Sequence, residues 1–373
     1  MRGLYIHVPF CVKKCRYCDF YSLPGRMDAR ASYVNAVLRE SEAYAGLSFQ
    51  TVYLGGGTPS LLGGRFVGDL LHGLGGTLNL AEVVEATIEV NPESTDAAFL
   101  EAAKDAGINR VSIGVQSLND AELKAVGRIH TASQALETVR LARQLNFAAV
   151  SADLIIGLPG QTWVTLCQSL ETLVNSGIEH LSLYCLSLEE DTPLAKSPPD
   201  NLPSDDMQAE LFQQASSFLA QNRYIHYEIS NFALNGYECR HNLNYWRGGE
   251  YLGLGPAAAS HLNGKRYRNR ADMDDYLAQP ANCTEDSEEL NKKDKAAEEA
   301  MLRLRLLVEG ISVSELAARF GQDNISGLAG RLEYMVRQGR LVRDGATYRL
   351  PPERVLTSNP IFAEILDSGQ PIT

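Results

Sequence analysis

Apolar runs and amphipathic stretches alternate over the first half of the chain. Six short runs are rich in β-branched and aromatic residues, as strands are: 4–8, 51–54, 86–90, 110–115, 149–157 and 180–186. Between them, apolar residues recur every three or four positions in the stretches 28–46, 61–73, 131–146 and 162–176, which predicts helices. This alternation indicates parallel strands joined by right-handed crossovers, hence an α/β fold that is either a doubly wound sheet or an open (β/α) barrel.

Unusual residues stand where these strands are expected to end. A loop with three cysteines follows the first strand and "GGGTP" the second, and the later strand ends carry Glu89, Asn91, Gln116 and Asp153. In a parallel barrel, the carboxyl ends of the strands share one mouth, where ligands bind. The shared position therefore favours a barrel-like cup.

The second half of the chain predicts further units. The stretch 197–206 reads as a connection into a helix, and 284–295 is a charge-rich linker. Three helical stretches and a strand pair around an Asp-Gly turn then suggest a small winged-helix-like α+β domain. The expected division is 1–230 for the barrel, 231–283 for a segment dense in aromatics, amides and glycine, 284–295 for the linker and 296–373 for the C-terminal domain.

Charge and composition narrow the function. The 373 residues carry 34 Lys plus Arg against 46 Asp plus Glu, a formal charge of -12. This balance argues against a broad surface for nucleic acid or anionic membrane, so a docking or lid role for the C-terminal domain is favoured over DNA binding. With no signal-peptide core at the start and no apolar run of spanning length, we expect a cytoplasmic protein.

Three of the seven cysteines cluster in "HVPFCVKKCRYCDFY", at Cys11, Cys15 and Cys18. The scattered remainder does not form a disulfide framework. A zinc site needs four ligands, which His7 would have to complete, whereas three thiolates on a [4Fe-4S] cube leave one iron open for an outside ligand. The cluster is the favoured interpretation, with zinc and free thiols as alternatives. Lys13, Lys14 and Arg16 would offset its negative charge, or simply lie on a solvated loop.

The Cys-x3-Cys-x2-Cys loop, the aromatic Tyr17 before its third cysteine and the "GGGTP" turn resemble the radical S-adenosylmethionine (SAM) superfamily. The resemblance implies a partial (β/α)6 barrel in which the methionyl group of SAM chelates the open iron. It also implies SAM contacts at Gly56, Gly57, Thr58 and Glu89. In the coproporphyrinogen dehydrogenase-like family the contacts extend to Tyr5, Gln116, Arg128 and Asp153. From the residues alone, the favoured alternatives are a surface helix residue for Arg128 and a cap or salt-bridge partner for Asp153.

Within that family, the chain resembles the heme chaperone (HemW) branch through "YIHVPFC", "GGGTPS", "IEVNPE", "SIGVQS", "DLIIGLPGQT" and "HNLNYW". The dehydrogenase has a further cysteine where Phe20 stands and an N-terminal extension where this chain starts at its first strand. The "HNLNYW" motif matches one associated with heme, which implies His241 as an iron ligand and Tyr245 and Trp246 as flat faces against the macrocycle. The alternative is an ordinary hydrogen-bonded loop core. His7 and His261 are alternative axial ligands, although a structural role is the favoured interpretation of each.

Two classes of function compete. The first is a heme-binding chaperone that carries a [4Fe-4S] cluster and SAM and delivers heme to an acceptor hemoprotein, for which a respiratory cytochrome is one candidate. It would act without nucleic acid and meet a membrane only through its partner. The second is an oxygen-independent coproporphyrinogen III oxidase, which would cleave SAM to a radical and oxidatively decarboxylate two propionates. No residue is predicted as catalytic, and the interpretation leans away from an enzyme. A redox-sensing transcription factor is the least favoured class.

Overall fold

The computed structural model describes residues 1–367. The first half contains eight strands: β1 (Arg2–Val8), β2 (Phe10–Cys11), β3 (Leu23–Pro24), β4 (Thr51–Gly56), β5 (Glu85–Val90), β6 (Arg110–Gln116), β7 (Ala149–Ile156) and β8 (His180–Cys185). The helices between them are α1 (Arg30–Ser41), α2 (Gly64–Thr77), α3 (Ala97–Asp105), α4 (Asp120–Ala125), α5 (Ala132–Gln144) and α6 (Trp163–Asn175). The alternation of six long strands with helices is confirmed, and each of the four predicted helical stretches contains most of one α-helix.

The second half adds strands β9 (Ile225–Glu228), β10 (Asn231–Ala233), β11 (Glu250–Leu254), β12 (Ala259–Leu262), β13 (Lys265–Asn269), β14 (Thr284–Glu289), β15 (Ile311–Ser312), β16 (Val342–Asp344) and β17 (Thr347–Arg349). Its helices are α7 (Pro193–Lys196), α8 (Asp205–Gln221), α9 (Arg240–Trp246), α10 (Met273–Ala278), α11 (Lys292–Arg303), α12 (Val313–Phe320), α13 (Gln322–Arg337) and α14 (Asn359–Leu366). None of the helices in residues 1–367 combines the length and apolar character needed to cross a membrane.

Twelve strands form one sheet in the order β14-β13-β12-β11-β1-β4-β5-β6-β7-β8-β10-β9. The run from β11 through β1 to β8 is parallel, and the strands outside it are antiparallel. The central strands are buried along most of their length because the crossover helices cover one face and the curved sheet encloses the other. The predicted barrel of six parallel strands is present, and β11 extends it by a seventh that returns from late in the chain.

Local sequence fixes the ends of the covering helices. Helix α5 begins after Thr131, whose side chain accepts from the backbone N–H of Gln134, and the Gln134 side chain bonds back to the backbone of Thr131. Helix α6 begins after Thr162 with the same reciprocal arrangement, completed by Thr165. Each box satisfies two N–H groups that the helix cannot pair internally, so the two crossovers start at defined points.

The linker predicted for 284–295 is wrong. Strand β14 occupies the first half of that stretch and pairs antiparallel with β13, and α11 begins at Lys292. The acidic residues of β14 face a basic partner, with Arg268 contacting both Glu285 and Asp286. Cross-strand pairs of opposite charge stabilise an exposed edge strand, so a charge-rich composition here accompanies regular structure. Strands β10 to β13 likewise bring four parts of the segment 231–283 into the main sheet, and helices α9 and α10 lie between them.

Residues 292–367, called the C-terminal region below, pack helices α11 to α14 against the small sheet β15-β17-β16. Two helices followed by a hairpin with Gly345 at its turn give the winged-helix-like arrangement expected from the sequence. The C-terminal region contacts the barrel through the backbone N–H of Leu307, which donates to the carbonyl of Tyr227 at 3.0 Å.

Candidate cluster and cofactor site

The cysteine loop lies over a cavity of about 400 Å³ at the carboxyl ends of the parallel strands. Cys11 ends the short strand β2, and Cys15 and Cys18 follow in the loop, so all three thiols line the cavity. The volume lies within the range of about 300–1,000 Å³ usual for small-molecule sites. The predicted shared mouth therefore exists, and the three cysteines belong to it.

The donor set suits a cluster better than a single ion. Residues 1–367 contain no group of three His, Cys, Asp or Glu side chains close enough to hold one metal ion. His7 does not join the thiols, because its ring nitrogens bond to the Tyr5 hydroxyl at 3.1 Å and the Tyr21 carbonyl at 2.9 Å. A cube binds its thiolates at separate iron corners, so it accepts cysteines spread around one loop.

Arg128 supplies positive charge beside the thiols. Its guanidinium donates to Cys15 Sγ at 3.5 Å, Gly114 O at 2.6 Å and Asn91 Oδ1 at 2.7 Å. Although burial lowers its pKa, the neighbouring Tyr17 and Cys15 raise it by more, so the group stays charged. Its buried Nε has no hydrogen-bond partner among residues 1–367. The alternative of a surface helix residue is wrong, and a charge so placed suits an anionic cluster or a ligand carboxylate.

The glycine turn packs against the cysteine loop. A Cβ on Gly57 would lie 2.7 Å from the carbonyl oxygen of Phe10, and one on Gly56, where φ is +111°, would lie 2.7 Å from the His7 ring. The chain's own atoms thus fill the space on that side of the turn. Thr58 is buried behind it and bonds to Asn91 Nδ2 at 3.0 Å and Cys11 Sγ at 3.5 Å. The turn consequently holds the cysteine loop in place as well as facing the cavity.

Two half-buried carboxylates form the floor of the cavity. Glu89 accepts from the Tyr53 hydroxyl at 2.8 Å and the Gly56 N–H at 3.3 Å, and burial raises its pKa to about 7. Asp153 accepts from Ser112 Oγ at 3.2 Å, and its pKa is also raised, chiefly by burial. A buried carboxylate is costly unless it is protonated or meets a donor. The pair therefore suits a ligand with an ammonium, a sulfonium or hydroxyls.

All of the predicted SAM residues except Tyr5 line the cavity. Gln116 lines it from the end of β6, where its φ is +63° and the register with β7 shifts between Ile113 and Gln116. Tyr5 lies outside the lining and stacks on Tyr53 at 6.3 Å. Sequence reasoning missed another wall, which is formed by Tyr184, Cys185, Leu186, Ser187 and Glu189. They lie at and directly after the end of β8, so the rule used for the other strand ends would have found them.

The "HNLNYW" motif lies at the opposite end of the barrel. Helix α9 contacts the first residues of β4 and β5, and Glu85 accepts from the backbone N–H groups of Arg240 and His241 at its N-terminus. The His241 side chain bonds through Nδ1 to Thr51 Oγ1 and through Nε2 to the Tyr245 hydroxyl, both at 2.8 Å. It is 1% exposed, and burial lowers its pKa to about 3. Neither nitrogen is open, so His241 does not fit an iron ligand in this structure.

The motif's aromatic residues pack internally. Tyr245 points its edge at Tyr251, with ring centroids 4.5 Å apart. The Trp246 ring lies 4.9 Å from the guanidinium carbon of Arg305, which belongs to the C-terminal region, and packs beside Leu306. Neither ring offers the open face that was expected for a macrocycle. The motif closes the base of the barrel and helps to dock the C-terminal region.

The fold and the cysteine-lined mouth are those of the Radical SAM superfamily, whose sequence profile matches residues 5–173. The profile of the HemN C-terminal domain matches residues 290–355. The solved structure of coproporphyrinogen III oxidase (HemN) from Escherichia coli superposes with a TM-score of 0.84 at 22% sequence identity, covering 98% of this chain and 89% of that one. The chain is thus a radical SAM protein, and its cofactors are a [4Fe-4S] cluster and SAM.

Similar proteins of known name identify the family within this superfamily. The heme chaperone HemW of Lactococcus lactis is 32% identical over 97% of this chain and 96% of its own length. That of Escherichia coli is 38% identical over 82% of each chain. Radical S-adenosyl methionine domain-containing protein 1, mitochondrial, of mouse is 41% identical over 69% of this chain and 60% of its own length. The chain belongs to the HemW family.

Proposed function

We propose that this protein is a heme chaperone, which binds heme and delivers it to an acceptor hemoprotein. The observation that carries this function is similarity to proteins named heme chaperone HemW over nearly the whole chain, including both the barrel and the C-terminal region. Similarity limited to the barrel would have supported only the superfamily.

In the mouth, we propose Cys11, Cys15 and Cys18 as the thiolate ligands of the cluster. The cluster and SAM, when bound together, supply reductive chemistry at the SAM sulfonium. Arg128 lies beside Cys15 and would balance the charge of the cluster. Glu89 and Asp153 would hold the cationic or hydroxyl-bearing parts of SAM, and Gly56, Gly57, Thr58 and Gln116 would contact it from the strand ends. Tyr5 would contribute indirectly, because it does not line the cavity but stacks on Tyr53, which bonds to Glu89.

We place the protein in the cytoplasm and take a respiratory cytochrome as the acceptor, with membrane contact arising only through that partner. All seven cysteines are free thiols, which fits a reducing compartment. If the acceptor is embedded in a membrane, this protein would deliver heme to it without entering the bilayer itself.

The chaperone function is tested by following heme. Protein with an anaerobically reconstituted cluster is mixed with equimolar hemin, freed of excess by gel filtration and then given an apo-cytochrome b. We expect the Soret band to stay with the protein and then move to the acceptor faster than heme moves from serum albumin in a matched reaction. Failure to retain hemin, or transfer no faster than from albumin, would remove the proposal.

The alternative is an oxygen-independent coproporphyrinogen III oxidase, because the fold is shared with HemN. The oxidase activity is distinguished from the chaperone function by incubating the reconstituted protein with coproporphyrinogen III, SAM and a reductant under anaerobic conditions. The chaperone proposal expects no protoporphyrinogen IX, with HemN itself as the positive control. Phe20, at the rim of the mouth and 64% exposed, stands where the dehydrogenase is expected to have a further cysteine.

A further inference from the structure

A second cavity, of about 620 Å³, lies between the sheet and the C-terminal region. One side is formed by the turn 247–250 after α9 and by His261 on β12. The other side is formed by Lys295 and Leu302 of α11 and by Phe320 at the end of α12. The cavity is separate from the cysteine-lined mouth, with which it shares no lining residue. Its volume is within the range of small-molecule sites.

His261 lines this cavity and is half-buried, and one of its two ring nitrogens is held by a hydrogen bond. Its Nδ1 lies 3.3 Å from the carbonyl oxygen of Gly249, which can only accept, so Nδ1 carries the proton. Nε2 has no hydrogen-bond partner within residues 1–367. Burial lowers the pKa of His261, so the imidazole is neutral near pH 7. A neutral histidine whose Nδ1 donates to a backbone carbonyl is oriented to bind metal through Nε2.

The other buried histidines lack this arrangement. His7, His130, His180 and His241 each use both ring nitrogens in hydrogen bonds. His226 bonds to the carbonyl of Ile229 and stacks on Phe232. Among these histidines, His261 is the one that is half-buried, has its ring fixed through Nδ1 and lines this cavity.

The charges around the cavity leave one cation uncompensated. Its three carboxylates are each paired with arginine: Glu250 with Arg2, Glu298 with Arg266, and Glu299 with Arg303 and Arg319. Arg247 is paired with Glu309. Lys295 has no ion pair among the described residues, and its Nζ would lie 2.8 Å from a Cβ on Gly264. An ammonium in this position suits a ligand carboxylate, and Leu302 and Phe320 supply apolar surface.

The "HNLNYW" motif borders the same cavity through Asn244. Its Nδ2 donates to the carbonyl of Glu250 at 2.8 Å, and its backbone carbonyl accepts from Gly249 N–H at 2.9 Å. A Cβ on Gly249 would lie 2.0 Å from Asn244 Oδ1, so the turn is closely held against α9. This turn carries the carbonyl that orients His261. The motif is thus placed to act on a ligand through His261 rather than by direct contact from His241.

We propose that this cavity is the heme site, with His261 Nε2 as the iron ligand, Lys295 beside a propionate, and Leu302 and Phe320 against the macrocycle. In this arrangement Asn244 is a positioning residue. The inference rests on the proposed heme chaperone function, and it assigns the ligand and the location that the function leaves open.

The test is hemin titration of cluster-reconstituted wild type, His261→Gln and His261→Ala, followed at the Soret band, with exposed His72→Ala as the matched control. Gln retains a donor for the Gly249 carbonyl, so it separates loss of the ligand from loss of the fold. We expect both variants to weaken binding more than about 10-fold, the size already typical for losing an outer-shell partner. Imidazole should restore the wild-type spectrum in His261→Ala, and His72→Ala should match wild type.

Three outcomes are distinguishable. If wild type binds hemin and both His261 variants keep its affinity and spectrum, this inference is wrong while the chaperone function stands. The inference is also wrong if His241→Ala, rather than His261→Ala, loses the wild-type spectrum and regains it with imidazole. If wild type retains no hemin, the proposed function itself fails. Lys295→Glu, on the cavity wall, should weaken binding without changing the ligand-field spectrum; equal affinity would remove Lys295 from the site.

Discussion

The mouth and the base of the barrel both bury polar side chains, but they use them differently. At the mouth, Glu89 and Asp153 have raised pKa values and face a cavity. At the base, His241 and His180 each satisfy both ring nitrogens with neighbouring side chains. A polar residue aimed at open space is suited to bind a ligand, whereas one paired on every side stabilises the fold. The comparison separates binding motifs from structural motifs that have similar composition.

The largest expected effect belongs to the mouth. Cys15→Ala removes one of three thiolates and should abolish retention of the cluster, measured as iron and sulfide content after anaerobic reconstitution. Thermal unfolding of the apoprotein should change little, because Cys15 is only partly buried in its loop. Cys167→Ala, a partly exposed thiol on α6, is the control and should keep full iron content. Wild-type iron content in the Cys15 variant would contradict the assignment.

At the base, His241→Ala should destabilise the fold by about 2–4 kcal/mol. The substitution leaves a cavity, and the hydroxyls of Thr51 and Tyr245 lose their hydrogen-bond partner. The measurement is urea unfolding followed by circular dichroism, and iron content should remain at the wild-type level. If the stability of the variant is unchanged while hemin binding disappears, the assignment of a structural role to the base of the barrel would be wrong.

Gly57→Ala probes the contact between the glycine turn and the cysteine loop. The added Cβ would meet the Phe10 carbonyl at 2.7 Å, so we expect a loss of about 1–3 kcal/mol together with reduced iron content. Gly68→Ala on α2 is the matched control, since nothing lies within 4 Å of its Cβ and alanine favours a helix. Equal behaviour of the two variants would show that the turn does not support the loop.

The smallest expected effect is a pH dependence of SAM affinity that arises from the ionisation of Glu89. Its pKa is raised from 4.5 to about 7, so the folded chain binds this proton more tightly than the unfolded chain. Without ligand, the contribution of Glu89 to stability therefore falls as pH rises through that window. Because the ionised group is the one that binds a cationic or hydroxyl-bearing ligand, SAM affinity should rise over the same window. The rise is at most about 10-fold per pH unit below the pKa.

Isothermal titration of the reconstituted protein with SAM, about one pH unit below and above 7, measures this effect. Glu89→Gln cannot ionise and should flatten the profile, although Asp153 would leave a residual slope. Two further buried carboxylates with pKa values near 7, Glu40 and Glu228, lie outside the mouth and should not affect SAM affinity. A profile unchanged by Glu89→Gln would remove this carboxylate from the SAM site.

The sequence predicted the mouth well because one rule covers it. Strand ends in a parallel barrel converge, so Glu89 and Gln116 could be placed together from the positions of the apolar runs, whereas Asp153 lies inside β7. Tyr5 could not be placed, because a residue within β1 faces the cavity or the packed interior according to the curvature of the sheet. The final wall, at and directly after the end of β8, follows the same rule as the other strand ends.

The base was harder to predict because it depends on the return of a distant segment. Nothing local in "HNLNYW" indicates that α9 would close the amino ends of the strands, where Thr51 and Glu85 take up its polar groups. The edge strand β14 was mistaken for a linker because an acidic exposed strand and a solvated linker have the same composition. In both cases long-range pairing decides the structure, and the local sequence pattern does not indicate that pairing.

The placement of β11 beside β1 has a consequence for how the protein is made. Arg2 pairs with Glu250, and the strand that leads into the cysteine loop acquires its second neighbour only when residues 250–254 are available. During synthesis β1 is therefore an edge strand, paired with β4 alone, until about two thirds of the chain has been translated. The strand that leads into the cysteine loop therefore gains its second neighbour late, and we expect β1 to be held less firmly until β11 is added.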